Sequence, residues 1–593
     1  MEEHYASPDS VAGDRMTTRR EVLTVGPVPE AREQQQRGEA QTGQRFDTRR
    51  PKGQIMRSST TVFHAEHFSR TVCLLLCLTS IGAAKLWGRT GDQNNGHYSN
   101  PILFSDYSDP DVIRVGKSYY LVASSFHFMP GIPVLESHDL VNWHIIAHVF
   151  PRLDIDRRYD MEGGDRYAQG AWAPSIRFHD GRYYVFFPTP KEGIFMSSAP
   201  SAKGPWTAPI AVLAGPGYED PCPLWDDDGN AYLVHSRVGA GPLVLHRMSP
   251  DGTKVLDEGK VIVDDHSKLP TLEGPKLYKQ DGYYYIFAPY GGVGTGSQAV
   301  LRSKNIYGPY ESRPVLEQGS TSVNGPHQGG YVETANGEGW FLHFSQRGGY
   351  GRILYLEPVQ WKDGWPVVGK PVEGKSFGEP VSTWKKPDSG RSYPIETPQT
   401  SDEFNDATAL GPQWEWNHNP NDSNWSLKER PGFLRLKASF ASDLIHARNT
   451  LTQQMQYQDF DLLTKIDVSA MKNGQRAGLA MFGVHPSWIG IVQTNGARLV
   501  VYASNGDEYE IGKLTGDTAQ LQMHVEGEHV SYSYSMDDGH SFQAAGSTNP
   551  FSFSWWKASR PALFTYNTQL EAPFGSIDID WVRCRSLADD ISH

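Results

Sequence analysis

Three carboxyl side chains occupy the same place in a repeated pattern of this chain: Asp109, Asp220 and Glu273. Each lies in a short Pro-containing segment that leads into a strand beginning with Gly. Carboxyl groups brought close together cannot all ionise, so we expect their pKa values to separate, with at least one raised. An ionised carboxylate can then activate water while a protonated one gives its proton to a leaving oxygen. Hydrolysis of a glycosidic bond uses such a pair.

The pattern that carries these acids occurs five times in the first two-thirds of the chain. The strands that follow the lead-in segments are rich in aromatic residues, as in GRYYVFFP and GYYYIFAP. A repeat of roughly fifty residues built from short strands indicates a β-propeller, here with five blades. Equivalent positions of the blades face one axis, so acids far apart in sequence meet at one point. The lead-in segments are SDPDV (108–112), AWAPS (171–175), EDPCP (219–223), LEGPK (272–276) and NGPHQ (324–328).

Not every acid near these segments is interpreted as part of a site. An Asp that precedes a turn commonly hydrogen-bonds to its own backbone. Asp111, Asp226, Asp227 and Asp228 are therefore interpreted as turn residues.

A second β domain is predicted after the repeats, which span residues 98–368. Residues 369–400 are rich in Pro, Gly and Lys, which is typical of a linker. From 401 to 588, short alternating stretches such as FLRLKAS and ARLVVYAS are separated by polar turns without a repeat. That pattern predicts a β-sandwich, so the expected fold class is all-β, a five-bladed propeller followed by a sandwich.

The net charge and the hydropathy of the chain argue against two classes of partner, nucleic acids and membranes. The 593 residues carry a formal net charge of -13, which argues against a nucleic-acid partner because phosphate binding needs basic patches. Aromatic residues make up 12% of the chain, and they suit both sheet cores and the apolar faces of sugars. The sequence has no run of about 20 apolar residues, so stable membrane association is not expected.

The first 84 residues are interpreted as lying outside the folded domains. Residues 1–55 are polar and charged, a composition typical of disorder, and we interpret them as an extension of the gene model upstream of a start at Met56. Residues 56–84 contain Arg70 and the apolar run TVCLLLCLTSIGAA, a pattern typical of a secretory signal. We therefore expect a secreted, extracellular protein. The alternative is a type II membrane anchor.

Two pairs of residues bear on the secreted form. Overlapping sequons at Asn421 and Asn424 fit a glycosylated loop. Cys222 and Cys584 are the two cysteines outside the leader, and the sequence leaves open whether they pair.

The motifs of the repeats together resemble glycoside hydrolase family 43, the five-bladed β-xylosidases and α-L-arabinofuranosidases. The resemblance runs from Tyr98 almost to the C-terminus, where the sandwich is similar to the concanavalin A-like module of many β-xylosidases in this family. It is carried by SDPDVIRVGKSYYLVASSF, GAWAPSIRFHDGRYYVFF, EDPCPLWDDDGNAYLV, LEGPKLYKQDGYYYIF and GRILYLEPVQWKDGWPVVG.

The resemblance implies an inverting mechanism with one role for each acid. Asp109 would be the general base that activates water, and Glu273 the general acid that protonates the leaving oxygen. Asp220 would orient Glu273 and modulate its proton affinity. Inversion needs roughly 6.5–9.5 Å between acid and base, which leaves room for the water.

Four more residues are expected to bind substrate. Phe126 and Trp172 would form walls of the sugar pocket. His327 resembles the family's axial histidine, which holds a central water or a cation beneath the sugar. Arg347, in SQRGG, would hydrogen-bond the sugar and help keep Asp109 ionised.

The C-terminal module is expected to cap the active-site face, which would favour attack on chain ends. SDEFN (401–405) and DIDWVRC (578–584) look like the first and last strands of such modules, where a structural Ca²⁺ is often held. Glu403 and Asp580 offer the oxygen ligands that Ca²⁺ prefers. The chemistry itself is expected to need no cofactor.

The predicted function is a secreted exo-glycosidase that removes xylose from the non-reducing ends of xylo-oligosaccharides or xylan in plant cell walls. The alternative is an α-L-arabinofuranosidase, or dual activity, because the two sugars present similar hydroxyl groups to a small pocket. A fructan or sucrose hydrolase is disfavoured, since its N-D-P-N-type motif is absent. A non-catalytic carbohydrate-binding propeller is disfavoured because all three axial acids are present.

Overall fold

The structure, a computed structural model, describes residues 91–571 and 574–588. The predicted segments 1–55 and 56–84 lie outside the described residues. No helix in the described part of the chain has the length and apolar character to cross a bilayer. The described helices are single turns of 3-10 helix at Arg157–Asp160, Gly348–Tyr350 and Asp422–Asn424.

The propeller is built from antiparallel strands in chain order. Two strands precede the first blade, β1 (His97–Ser99) and β2 (Leu103–Asp106). Blade 1 contains β3 (Asp111–Val115), β4 (Ser118–Val122), β6 (Gly131–Ser137) and β7 (His144–Phe150), and β5 (Phe128–Met129) lies between β4 and β6 in the chain. Blade 2 contains β8 (Ser175–His179), β9 (Arg182–Thr189), β10 (Gly193–Ala199) and β11 (Ile210–Ala214). Blade 3 contains β12 (Tyr218–Trp225), β13 (Ala231–Arg237), β14 (Leu243–Met248) and β15 (Lys260–Val263).

The last two blades close the ring. Blade 4 contains β16 (Lys276–Gln280), β17 (Tyr283–Tyr290), β18 (Ser297–Ser303) and β19 (Glu311–Leu316). Blade 5 contains β20 (His327–Glu333), β21 (Gly339–Gln346), β22 (Arg352–Lys362) and β23 (Trp365–Val368). The N-terminal strand β2 pairs with β22, so the start of the propeller adds a strand to the sheet of blade 5 and closes the ring. Five apolar clusters fill the spaces between neighbouring blades.

The predicted linker, residues 369–400, is partly strand. It contains β24 (Lys370–Pro371), β25 (Gly378–Glu379) and β26 (Thr383–Lys385). β25 pairs with β19 of blade 4, and β26 pairs with β1. These pairings hold the connecting segment against the propeller.

The C-terminal domain is a sandwich of two sheets around a large apolar core. Its strands are β27 (Glu415–Asn417), β28 (Trp425–Ser426), β29 (Leu434–Lys437), β30 (Leu451–Thr452), β31 (Phe460–Asp467), β32 (Gln475–Phe482), β33 (Ser487–Thr494), β34 (Ala497–Ser504), β35 (Asp507–Leu514), β36 (Thr518–Glu526), β37 (His529–Ser535), β38 (Gln543–Pro550), β39 (Arg560–Asn567) and β40 (Ser576–Ser586). The all-β prediction, propeller followed by sandwich, is confirmed. Cys222 lies in the propeller and Cys584 in the sandwich, and no disulfide joins them.

The propeller and the sandwich share a sheet. β5 leaves blade 1 and becomes the edge strand of the eight-stranded sandwich sheet, where Phe128 pairs with Asn417 and Met129 with Trp416. A buried ion pair adds to this contact, because Nζ of Lys557 lies 2.9 Å from Oδ2 of Asp106. The sandwich is therefore hydrogen-bonded to the propeller at backbone and side-chain level.

Buried polar groups also join one blade to the next. Asp111, interpreted above as a turn residue, is fully buried at the start of β3. Its Oδ2 accepts hydrogen bonds from the backbone N of Ile176, 2.9 Å away, and from Nη1 of Arg177, 2.6 Å away. The turn interpretation of Asp111 is therefore wrong, and the residue links blade 1 to blade 2.

Candidate active site

The five lead-in segments converge at one end of the propeller axis, around a cavity of about 480 Å³. Each segment immediately precedes or begins the innermost strand of its blade. The cavity is lined by residues from all five blades and from the sandwich: Asp109, Phe126, Trp172, Ala173, Glu219, Asp220, Val238, Gly239, Ala240, Thr271, Glu273, Gly292, Val293, His327, Gln328, Arg352 and Trp556.

Irregular backbone aims these side chains at the axis. Asp109 and Asp220 both have φ of 55°, in the left-handed region that non-glycine residues seldom adopt. The register of β12 shifts between Glu219 and Cys222, and that of β20 shifts between His327 and Gly329. Bulges of this kind redirect a side chain out of the ladder, and strained backbone gathers at functional sites.

Asp109 is buried with a hydrogen bond on each carboxyl oxygen. Oδ1 accepts from Nη1 of Arg352 at 2.9 Å, and Oδ2 accepts from Oγ of Ser124 at 2.6 Å. A guanidinium at hydrogen-bond distance stabilises the negative charge of the carboxylate. The arrangement suits a general base.

Asp220 receives three hydrogen bonds from three blades. They come from Oγ of Ser236 and the backbone N of Gly274, each 2.9 Å away, and from Nε2 of Gln328, 3.1 Å away. Gly274 needs to be glycine because its φ is +59° and a Cβ there would lie 2.8 Å from Cγ of Gln328. Burial, and next the charge of Glu273, raise the pKa of Asp220 to about 6.

Glu273 is the most accessible of the three acids, with its side chain 23% exposed. Its Oε1 lies 2.9 Å from Nε2 of His327. The other ring nitrogen, Nδ1, is buried without a hydrogen-bond partner among the described residues. The role of His327 in holding a central water or a cation stays a prediction.

Aromatic rings form the walls of the cavity. Phe126 and Trp172 line it as predicted for a sugar pocket, with ring centroids 6.1 Å apart. Trp556, on the segment between β38 and β39 of the sandwich, lines it as well and was not predicted. The neighbouring Lys557 is fully buried and donates to the backbone oxygens of Asp106 and Ser124. The sandwich thus contributes one aromatic ring to the cavity wall, next to a lysine that is bonded to the propeller.

The structure corrects the prediction for Arg347. Both Nε and Nη2 of Arg347 donate to the phenolic oxygen of Tyr355, and the side chain lies outside the cavity lining. The 3-10 turn at Gly348–Tyr350 directs Tyr350 against the sandwich, where its hydroxyl donates to the backbone oxygen of Gln458. The chain then returns to the axis at Arg352, which is the arginine that binds Asp109.

These two arginines give a matched test of the site. We expect Arg352→Met to lower kcat/KM about 10- to 100-fold, because it removes a charge-assisted hydrogen bond to the buried Asp109. Arg347→Met should leave kcat/KM close to that of the parent enzyme. Initial rates on an aryl glycoside, with melting temperatures to check folding, measure both effects. A larger loss of kcat/KM in Arg347→Met than in Arg352→Met would instead support Arg347 as the arginine that acts on the sugar and Asp109.

Glu403 and Asp580, predicted as calcium ligands, face basic side chains. Both oxygens of Glu403 accept from Arg583, at 2.7 and 3.0 Å, and Oδ2 of Asp580 lies 3.9 Å from Nζ of Lys465. Neither belongs to a metal-ligand cluster within the described residues, where the one group of three acidic or metal-binding side chains with ligand atoms within 4.8 Å is Glu219, Asp220 and Glu273. The contacts with Arg583 and Lys465 compete with a cation for the same oxygens, and calcium binding by Glu403 and Asp580 stays a prediction.

Sequence reasoning missed Glu219 as a site residue. It adjoins Asp220 in β12 and lines the cavity. Burial, and next the charges of Asp220 and Glu273, raise the pKa of Glu219 to about 9. The signal was present in the sequence, since Glu219 opens the EDPCP segment, but an extra acid beside a matched register position has no counterpart in the other repeats.

Three carboxyl groups at one propeller axis, one partly exposed to water and another held by an arginine, are typical of the site of a glycoside hydrolase. A family model described as "Glycosyl hydrolases family 43" matches residues 98–366, and one described as "Beta xylosidase C-terminal Concanavalin A-like domain" matches residues 401–585. The chain belongs to glycosyl hydrolase family 43.

Known proteins of this family are similar over most of the chain. A protein of Xylanibacter ruminicola, provisionally named a beta-xylosidase, is 44% identical over 80% of this chain and 87% of its own length. The non-reducing end alpha-L-arabinofuranosidase BoGH43B of Bacteroides ovatus is 36% identical over 58% of this chain and 65% of its own length. A solved structure, the bifunctional GH43-CE protein of Bacteroides eggerthii, is 30% identical with a TM-score of 0.74, covering 82% of this chain and 63% of that one.

Proposed function

We propose that this enzyme is an exo-acting, inverting β-xylosidase that releases xylose from the non-reducing ends of xylo-oligosaccharides or xylan. The observation that carries the proposal is the cavity at the propeller axis, which holds Asp109 from blade 1 and Glu273 from blade 4 and is partly covered by Trp556 of the sandwich. A covered cavity of about 480 Å³ suits the end of a sugar chain better than its middle.

The proposed mechanism is a single displacement. Asp109 takes a proton from a water molecule as that water attacks the anomeric carbon, while Glu273 gives a proton to the glycosidic oxygen. Arg352 and Ser124 hold Asp109 as the proton acceptor. Asp220 positions the acid through Gly274, whose backbone N binds Asp220 and follows Glu273 directly in sequence.

The leading sugar is xylose because of the name of the Xylanibacter ruminicola relative and the β-xylosidase type of the C-terminal module. α-L-Arabinofuranosidase activity, alone or in addition, is the second candidate, favoured by the similarity to BoGH43B.

We also propose a secreted enzyme, on the grounds of residues 56–84 alone. A mature N-terminus near Lys85, located by mass spectrometry, would separate secretion from an anchor.

A paired assay tests the substrate and the mechanism. We expect kcat/KM on p-nitrophenyl β-D-xylopyranoside to exceed that on p-nitrophenyl α-L-arabinofuranoside by about tenfold or more. Proton NMR in the first minutes of xyloside hydrolysis should show the α-anomer of xylose before mutarotation. A higher kcat/KM on the arabinofuranoside would establish the second candidate, and β-xylose as the first product would contradict inversion.

A further inference from the structure

Glu219 places a fourth carboxyl group at the propeller axis. The side chain is 6% exposed, and one of its oxygens lies within 4.8 Å of oxygens of both Asp220 and Glu273. Oε1 accepts a hydrogen bond from the backbone N of Ala240, 3.1 Å away, and lies 3.5 Å from Oγ of Ser236. Glu219 is therefore fixed at one oxygen by the cavity wall while it faces the acid pair.

The surroundings of Glu219 supply no cation. Within residues 91–571 and 574–588, neither Lys nor Arg forms an ion pair with it. Of the charged and titratable groups around the cavity, Arg352 is engaged by Asp109 and Nε2 of His327 by Glu273. On the paired strand β13, Nδ1 of His235 bonds the backbone oxygen of Ser236, and Arg237 lies over the ring of Tyr218.

Three carboxylates with oxygens within 4.8 Å of one another, two of them buried and without a Lys or Arg partner among the described residues, cannot all be charged, because burial of an unpaired charge is costly. The order in which they ionise follows from their surroundings. Asp220 has three hydrogen-bond donors, which stabilise its charged form. Glu219 has one hydrogen-bond donor at 3.1 Å, and burial and its two acidic neighbours raise its pKa, so Glu219 is the carboxyl that keeps the proton.

We propose that Glu219 is a positioning residue of the active site, present as a neutral acid that donates a hydrogen bond toward the Asp220–Glu273 pair. Because Glu219 is neutral in this role, it adds no third negative charge beside Asp220 and Glu273. Its hydrogen bond holds the orientation of these two carboxyl groups. The role rests on the hydrolytic function proposed above for Glu273, but not on the identity of the sugar.

Two variants of Glu219 separate a neutral donor from a carboxylate. Glutamine keeps a donor and an acceptor in the same shape, whereas alanine removes both. We expect Glu219→Ala to lower kcat/KM about 10- to 100-fold at pH 7, on whichever aryl glycoside the parent enzyme cleaves faster. Glu219→Gln should recover at least tenfold of that loss. Equal losses in the two variants would show that an ionised carboxylate is needed and would overturn the proposal. A loss of several orders of magnitude in Glu219→Gln would make Glu219 the proton donor instead.

Thermal stability tests the protonation state without any substrate. In the unfolded chain Glu219 ionises near pH 4.5, but in the folded protein burial and the neighbouring acids raise its pKa well above that value. Between these two pKa values a rise in pH favours the unfolded state of the parent enzyme, and glutamine removes this dependence. The melting temperature of Glu219→Gln minus that of the parent should increase by about 2–4 °C from pH 5.5 to pH 8.5.

The control for this measurement is Glu510→Gln, at an exposed position on β35 of the sandwich. Its difference from the parent should stay constant over the same pH range. A constant difference for Glu219→Gln as well would show that Glu219 is ionised in the folded protein. Because no sugar is present, that outcome would count against Glu219 as a neutral acid while leaving the proposed β-xylosidase function standing.

Discussion

Replacement of Glu273 by glutamine is expected to lower kcat on xylobiose about 10²- to 10⁴-fold, the usual contribution of a general acid. The amide cannot give a proton to the glycosidic oxygen, and a sugar alkoxide is a poor leaving group. The hydrogen-bond distance to His327 can be kept by the amide, so the melting temperature should change little. Release of xylose measured by chromatography gives the rate.

A series of leaving groups provides the control for Glu273→Gln. In a dinitrophenyl glycoside the leaving group is dinitrophenolate, which departs without being protonated. The same variant should therefore lose about tenfold or less on that substrate. A loss of equal size on xylobiose and on the dinitrophenyl glycoside would contradict the role of general acid. It would indicate that Glu273 instead orients the sugar or another carboxyl.

Replacement of Asp109 by asparagine is the second large effect, with an expected fall in kcat of about 10²- to 10⁴-fold. The amide cannot accept the proton of the attacking water, although its oxygen can still accept the hydrogen bond from Arg352. Since the base acts on water and not on the leaving group, the loss should be similar for dinitrophenyl and p-nitrophenyl glycosides.

The contrast between the two variants is the informative result. Asp109→Asn should be insensitive to the leaving group and Glu273→Gln strongly sensitive to it. Retention of more than a tenth of parent activity by Asp109→Asn, with an unchanged melting temperature, would exclude Asp109 as the base. Loss of folding would be recognised separately by a lowered melting temperature, because the buried Arg352 would then face a neutral amide in place of a carboxylate.

Much of the fold follows from features that repeat. Five Pro-containing segments before Gly-initiated strands predict five equivalent blades, and the symmetry of a propeller brings equivalent positions to one axis. The structure accordingly places Asp109, Trp172, Asp220, Glu273 and His327 around one cavity. Phe126 also lies there. The five positions in the lead-in segments could be predicted because each depends on its register in a repeat and not on the path of a particular loop.

Residues outside the repeat register were harder to predict. The choice between Arg347 and Arg352 depends on a single 3-10 turn that sends Tyr350 toward the sandwich. The presence of Glu219 in the cavity depends on the register shift in β12. Trp556 comes from the other domain, and nothing in its local sequence indicates a contact with the propeller axis. In each case a local irregularity or a contact between domains decides the outcome.

The acidic turn candidates show a related limit. Asp111 follows Asp109 by two residues, and its neighbours in sequence are typical of a turn. It is nevertheless buried between two blades and forms an ion pair with Arg177. An Asp in a turn and an Asp in a buried ion pair have the same local signature, because the partner lies 66 residues away. Charge pairing at such a distance is not visible in a single sequence.

The strand β5 has a consequence for how this protein can be rearranged in evolution or in the laboratory. The segment that joins Ser124, which donates a hydrogen bond to Asp109, to β6 of blade 1 also forms an edge of the sandwich sheet. A crossover placed in the connecting segment would therefore divide a sheet whose strands come from both sides of the cut. Recombination with a related module would preserve the geometry around Asp109 only if the incoming sandwich offered the same edge to Phe128 and Met129.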